Sequence, residues 1–372
     1  MKLRLENLRV WQEDGTFRAG SLTVADGRFI ADDGAADEVF DGGGMLAVPG
    51  LIDLHTHGRI GSDFCDADED AIAAMVADYA RHGVTALAPS LASDSLAGWQ
   101  AAAARIARTR SPSFICLHLE GRYISPARRG AHDPAFLVAP NFDEVRSMAE
   151  ISGLPMRVTF APELDADGSF RRACIQAGYR LSISHTEADY ETAMAAIGDG
   201  VNSFTHLYNT MPALHHRAGG PIAAALTTDA YAELICDDVH VSHEMIDLAY
   251  RAKGLDRILL VTDSMAGTGC PDGHYRVGGL DVVVKDGKAL TTDGHLAGST
   301  LDLLRGVQNF VAFCRIPFGK ALIAASKNPA AYLGMAGELG TLKAGARADL
   351  LLLASENAAL PARVMQKGVW LV

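Results

Sequence analysis

Short apolar runs recur along this chain, each closing on one acidic or imidazole side chain, and stretches with helical spacing separate them. Ile258-Leu259-Leu260-Val261-Thr262 runs into Asp263, Phe114-Ile115-Cys116-Leu117-His118-Leu119 into Glu120, Leu181-Ser182-Ile183-Ser184 into His185, and Asn202-Ser203-Phe204-Thr205 into His206. Between Gly50 and about Met335 the pattern predicts eight strands, at 51–54, 85–89, 114–119, 157–161, 180–184, 202–205, 233–236 and 257–262. Eight is the strand number of a closed parallel (β/α)8 barrel of TIM type, whose carboxyl strand ends carry the reactive groups. Helical spacing of Ile72, Met75, Val76 and Tyr79 predicts a helix over 70–81, and an Ala-rich segment with Trp99 and Ile106 predicts another over 96–108. Ser242 reads as the N-cap of a helix that Gly254 stops.

The two ends carry a period of two instead. Leu3 and Leu5 alternate with charged residues, and Asp26-Gly27 sits between two β-type runs as a hairpin turn. Near the C-terminus, 348–353 and 368–372 are strand-like. The expected α/β architecture is therefore a barrel over 49–337, inserted into a small β-sandwich domain that 1–48 and 338–372 build together. Two stretches break the alternation, 122–140 and 267–298, the latter with turn signals at Asp286-Gly287 and Asp293-Gly294. Irregular insertions of that length in a compact domain serve more often as lids than as accidents.

Composition narrows the functions. At 372 residues with 49% hydrophobic content the chain can bury a large core. Its 33 Lys+Arg against 45 Asp+Glu leave a net charge of -12, which argues against nucleic acid or an anionic membrane as partner, since both need a basic field. The six cysteines are scattered without a C-x-x-C pair and read as reduced core thiols. The N-terminus lacks the apolar stretch of a signal peptide, and no run approaches a membrane span, so a cytoplasmic enzyme is expected.

The first predicted strand ends in Asp53-Leu54-His55-Thr56-His57. Histidines at i and i+2 share one face of a strand, so both imidazoles can converge on one ion; the alternative is that they pack or cap the barrel mouth. With the acidic and imidazole ends of the other strands, the pattern points to a metal-dependent hydrolase.

Pro49-Gly50-Leu51-Ile52-Asp53-Leu54-His55-Thr56-His57-Gly58 resembles the opening motif of the amidohydrolase superfamily. Leu117-His118-Leu119-Glu120-Gly121, Ser184-His185-Thr186, Thr205-His206-Leu207-Tyr208-Asn209-Thr210-Met211-Pro212 and Val261-Thr262-Asp263-Ser264 are similar, in that order, to the signature set of the N-acetylglucosamine-6-phosphate deacetylase family. The resemblance spans nearly the whole chain. It implies hydrolysis of N-acetylglucosamine 6-phosphate to glucosamine 6-phosphate and acetate, in amino-sugar recycling, by a homodimer. Two rival readings are another N-acyl substrate, such as the galacto epimer, and a non-catalytic assembly protein on the same barrel.

The resemblance also implies roles. Glu120 stands where many cyclic-amide hydrolases of the superfamily carry a carboxylated lysine. With His185 and His206 it would make a three-ligand set with an open fourth position, the composition of a catalytic zinc site, although iron, manganese or cobalt suit the same donors. His55 and His57 imply room for a second ion. Asp263 is the expected general base and then acid, because an amine anion leaves only once protonated; a ligand or a loop cap is the other reading of that carboxylate. By motif, Ala131 and His132 contact the sugar, with His132 near the reacting carbonyl, and Asn209 and Thr210 meet the phosphate. Arg217 and His240 would be its cationic partners, a role suited to a guanidinium fork. Leu296, Ala297, Gly298 and Ser299 would close over the substrate. Arg122 stands where the family usually has Pro and Thr210 where it usually has Ala. The extra cation at Arg122 is expected near the entrance, where it would alter which sugar phosphate is accepted. His82 and His118 read as packed residues, and His215-His216 as solvated ones.

Overall fold

The computed structural model describes residues 1–31, 34 and 36–372. All eight expected strands form: β1 Leu51–Thr56, β2 Val84–Leu91, β3 Leu117–Leu119, β4 Met156–Phe160, β5 Arg180–Ile183, β6 Ser203–Phe204, β7 Tyr231–Leu234 and β8 Ile258–Leu260. They pair in sequence order, each parallel to the next. One longer helix follows each strand: α1 Glu69–Arg81, α2 Leu96–Thr109, α3 Phe142–Ser152, α4 Ser169–Gln176, α5 Tyr190–Gly198, α6 Gly220–Thr227, α7 His243–Lys253 and α8 Leu303–Cys314. Every residue of β1 to β4 is buried, because helices cover the outside of the barrel while side chains fill its interior.

Local chemistry marks the helix ends as the spacing predicts. Asp68 caps α1 by accepting the Ala71 N–H, and Ile72, Met75 and Tyr79 form its buried stripe. Ser242 occupies the N-cap of α7 without a side-chain capping bond, and Gly254, at φ +72°, ends that helix.

The barrel closes between β8 and β1 at its mouth. Asp263 N–H donates to His55 O at 2.9 Å and His57 N–H to Ser264 O at 2.8 Å. The buried Asp53 carboxylate completes this seam, accepting the Thr262 hydroxyl at 2.6 Å and the His55 and Thr262 N–H groups at 3.2 and 3.3 Å. One carboxylate thus fixes the two segments that carry His55, His57 and Asp263.

Both termini build the second sheet, as the period-two pattern predicts. Lys2–Trp11 pairs antiparallel with Phe17–Ala25 and parallel with Glu38–Asp41 and Leu46–Pro49. Leu46–Pro49 in turn pairs antiparallel with Leu350–Leu353 from the far end of the chain. The sandwich expected there is, by its hydrogen bonding, one mixed sheet.

Two insertions cover the barrel mouth. Residues 122–140 contribute only the 3-10 turns Pro126–Arg128 and Pro134–Phe136. Between β8 and α8, Gly273–Val277, Leu280–Lys285, Lys288–Thr291 and Leu296–Ser299 form an antiparallel sheet, with Asp286-Gly287 at one of its hairpins. One face of that sheet packs Val277, Val282, Val284, Ala289 and Ala297 on Met265, with Ala131 from the other insertion against it. Among the described residues no helix is long and apolar enough to cross a membrane.

Candidate active site

The strand-end residues meet in one nest. Glu120 sits at its centre, 2% exposed, with one carboxylate oxygen facing each of two groups. Its Oε2 lies 3.0 Å from His55 Nε2 and 2.9 Å from His57 Nε2, and Asp263 Oδ1 lies 3.4 Å from each of those nitrogens. Its Oε1 lies 3.0 Å from His206 Nε2 and 3.6 Å from His185 Nε2. Among the described residues the protein therefore holds two buried clusters, His55/His57/Glu120/Asp263 and Glu120/His185/His206, that share one carboxylate.

Backbone geometry turns these side chains inward. His185, His206 and Asp263 each stand one to three residues past a strand and adopt positive φ, at +46°, +33° and +50°. Left-handed backbone at non-glycine residues costs free energy and concentrates where function requires a particular side-chain direction. Gly121 follows Glu120 at φ +138°, and a Cβ there would lie 2.5 Å from Ser93 N and 2.7 Å from Ser93 Cα. Gly121→Ala should therefore displace Glu120 or strain the barrel rim, lowering stability by ~1–3 kcal/mol in a denaturant titration.

The donor set fits a divalent cation. Bonds of about 2.0–2.1 Å in a tetrahedron put neighbouring ligand atoms roughly 3.3 Å apart. The imidazole nitrogens here stand at that spacing: His55 and His57 Nε2 at 3.2 Å, His185 and His206 Nε2 at 3.1 Å. The opposite ring nitrogens are held from behind, His185 Nδ1 by Arg128 O at 2.8 Å and His206 Nδ1 by Ser184 Oγ at 3.1 Å. Such contacts fix ring orientation and leave Nε2 for an ion. Electrostatics agree. Burial opposes ionisation of Glu120, yet the His55 charge and bonds from His185 and His206 hold it well below the usual carboxylate range. Asp263 is likewise held low against its burial, by His55 and His57. Those carboxylates in turn raise His57, against its own burial, to about 9. Two carboxylates this buried stay ionised only because cationic groups face them.

Above the nest lies a cavity lined by His57, Glu120, His132, His185, His206 and Asp263, with Ala131, Asn209, Thr210 and His240 farther out and Leu296 and Gly298 over it. His132 accepts the Ser93 N–H at Nδ1 (3.3 Å), with Ser93 Oγ at 2.9 Å from the same atom. Burial, reinforced by the neighbouring His185, pushes its pKa down to about 3. His132 is thus a neutral imidazole whose remaining proton sits on Nε2, a donor. His240, its side chain 6% exposed, contacts Asp237 Oδ2 through Nδ1 at 2.7 Å. Burial disfavours its cation, but the Asp237 bond and charge outweigh that and raise its pKa.

Other expected residues are placed differently. Asn209 N–H is engaged by His206 O at 3.0 Å, whereas Thr210 N–H, at φ +56°, has no acceptor among the described residues. Of the 296–299 segment, Ala297 is buried in the lid sheet, and Ser299 braces the Asp263 turn through its N–H to Asp263 O at 2.7 Å. Arg217 is exposed, with its guanidinium 2.8 Å from His216 Nε2, and does not line the cavity of its own chain. Arg122 corrects the expectation of an entrance cation. It is 6% exposed, forks onto Glu144 of α3 at 3.1 Å through both Nε and Nη2, donates to Asp94 O at 2.8 Å, and lies over the Trp99 ring. Its charge ties the 122–140 insertion to α2 and α3.

His118 is a packed residue, bonded to Ser90 Oγ and Thr159 Oγ1 at 2.8 and 2.9 Å. His295 at the cavity rim and Ser93 behind His132 are not among the residues expected from sequence. Nor are Glu233 and Arg157, which lie under the nest; their signal in the sequence is a lone charge inside each of two apolar strand runs.

Parallel strands that carry paired imidazole–carboxylate clusters at the carboxyl end of a closed barrel define a hydrolase of the amidohydrolase type. Residues 46–371 match the model of the amidohydrolase family, and the chain belongs to that family. Its relatives point further. It is 34% identical to the N-acetylglucosamine-6-phosphate deacetylase of Vibrio furnissii, over 93% of this chain and 88% of that protein. It is 33% identical to the N-acetylgalactosamine-6-phosphate deacetylase of Escherichia coli O157:H7, over 93% and 94%. Among solved structures, an aspartate-to-alanine mutant of the Mycobacterium smegmatis N-acetyl-D-glucosamine-6-phosphate deacetylase, in complex with N-acetyl-D-glucosamine-6-phosphate, matches with a TM-score of 0.90 at 33% identity, covering 100% of this chain and 99% of that one.

Proposed function

We propose that the protein hydrolyses the acetamide of N-acetylglucosamine 6-phosphate, releasing acetate and glucosamine 6-phosphate. The observation that carries this reading is one cavity that holds the carboxylate-bridged clusters at its floor, His132 on its wall, and farther out His240, its pKa raised by Asp237, with a Thr210 N–H that has no acceptor among the described residues. Glu120, His185 and His206 would hold one divalent ion, most simply zinc, and His55 and His57 with Glu120 and Asp263 a second. An ion there supplies positive charge that polarises an amide carbonyl and acidifies water toward neutral pH. Asp263, an ionised carboxylate at the cavity floor, takes a proton from water as its oxygen bonds to the carbonyl carbon. The His132 Nε2–H donates to the carbonyl oxygen as negative charge develops there. Asp263 then passes its proton to nitrogen, the C–N bond breaks, and acetate and the amine leave.

His240 and the Thr210 N–H would bind the phosphate. Arg217, which does not reach the cavity of its own chain, would complete that subsite from a second copy in a homodimer. Six free cysteines, five of them buried, fit a reducing cytoplasmic setting. Comparable identity to an N-acetylgalactosamine-6-phosphate deacetylase supports one second reading, deacetylation of N-acetylgalactosamine 6-phosphate.

Comparing turnover of phosphorylated and unphosphorylated N-acetylglucosamine tests the assignment. A large excess of kcat/KM for the phosphorylated sugar is expected, and equal values would refute the phosphate subsite. His240→Asn should raise KM about 10- to 100-fold with little change in kcat, the worth of one charge-assisted hydrogen bond. The pH dependence has a sign. Affinity should rise as the phosphate loses its second proton near pH ~6, then fall as pH passes the raised pKa of His240 and the imidazolium is lost. In His240→Asn the alkaline fall should vanish.

A further inference from the structure

Beneath the two clusters, inside the barrel, lies an ion pair that the proposed chemistry does not use. Glu233 on β7 and Arg157 on β4 are both 0% exposed and contact each other across the barrel through Glu233 Oε1 and Arg157 Nη2. Arg157 is fastened on its other sides, donating from Nη1 to Leu54 O at 3.2 Å and from Nη2 to Thr205 Oγ1 at 3.1 Å and Ser182 Oγ at 3.3 Å. Desolvating such a pair is costly, and apolar residues of similar volume often serve stability as well or better. The second oxygen of the Glu233 carboxylate shows a use beyond stability. Glu233 Oε2 lies 3.3 Å from His55 Nδ1 and accepts the His206 N–H at 3.2 Å.

We propose that Glu233, anchored by Arg157, is the positioning residue that presents His55 to the cation position formed by His55, His57, Glu120 and Asp263. This inference rests on the two-cation reading above. A carboxylate at Nδ1 keeps the proton on that nitrogen and turns the Nε2 lone pair toward the point that His57, Glu120 and Asp263 also face. The two histidines of the motif are not equivalent in this respect. His57 Nδ1 is buried without a hydrogen-bond partner among the described residues, so the orientation of this cluster is set through His55. The other position keeps its ring contacts without Glu233, because His185 and His206 are held by Arg128 O and Ser184 Oγ, and Glu233 reaches it only through the His206 N–H.

The test is metal binding by the full-length protein, counted per chain by elemental analysis and titrated with zinc against a competing chelator. Wild type should bind two ions. Glu233→Leu alone strands a buried guanidinium, so the informative variant is Glu233→Leu with Arg157→Met, which removes both charges; Glu233→Gln in the same Arg157→Met background, which keeps an oxygen acceptor for His55, is the rescue. The double variant should weaken one of the two zinc affinities about 10- to 100-fold and leave the other within a few-fold, with Glu233→Gln falling between it and wild type. Two ions in wild type with both affinities unchanged in the double variant would overturn the role of Glu233. One ion in wild type, with His55→Asn without effect on it, would overturn the two-cation reading and this inference with it.

Discussion

Glu120→Ala is expected to empty both cation positions at once and to abolish acetate release. Glu120 is the one side chain common to the two clusters, with Oε2 facing His55 and His57 and Oε1 facing His185 and His206. Losing it leaves four imidazoles with only Asp263 to balance a bound cation. The loss of kcat should exceed the roughly 10²–10³-fold that a single oxyanion-stabilising donor is worth. Metal analysis together with circular dichroism checks this: a folded, metal-poor, inactive protein is the expected result, and a variant that retains two ions per chain would contradict the bridging role.

Asp263→Asn should behave differently. The amide keeps an oxygen toward His55 and His57 but cannot take a proton from water, so turnover should fall by about 10²–10⁴-fold, the usual worth of general acid–base catalysis. Ions at Glu120, His185 and His206 should stay, because Asp263 belongs only to the other cluster. Its strand-end turn should also survive, since Asp263 N–H and O are held by His55 O and Ser299 N–H at 2.9 and 2.7 Å. Retained turnover would remove Asp263 from the proposed proton path. Loss of the Glu120/His185/His206 ion would show that its role is structural as well.

The barrel was legible because its strands are buried on both faces and therefore read as largely apolar runs, several of which close on an acidic or imidazole residue. Strand lengths were less so. The third run looked like a strand from Phe114, but only Leu117–Leu119 joins the ladder; Phe114 makes an isolated bridge to Leu87. Strand-end histidines and carboxylates were visible for the same reason as the strands, since their positions follow from local pattern. What stayed hidden depends on contacts between distant segments. Arg122 looked like a free cation because its partner, Glu144, lies 22 residues on, on a helix whose facing direction no local pattern fixes. Glu233 and Arg157 each appeared as a lone charge in an apolar run, and only barrel closure brings β4 and β7 side chains together. Arg217 was assigned to the phosphate by motif, yet its loop lies outside the cavity of its own chain.

Whether this nest of histidines and carboxylates works as a metal-dependent deacetylase of a hexosamine phosphate is decided by acetate release from N-acetylglucosamine 6-phosphate, followed on one preparation as purified, after removal of metal by a chelator, and after zinc is restored. Release should disappear with the metal and return with it, with the galacto epimer assayed in parallel to fix the preference. Absence of release from either epimer by protein carrying its full complement of metal would contradict it.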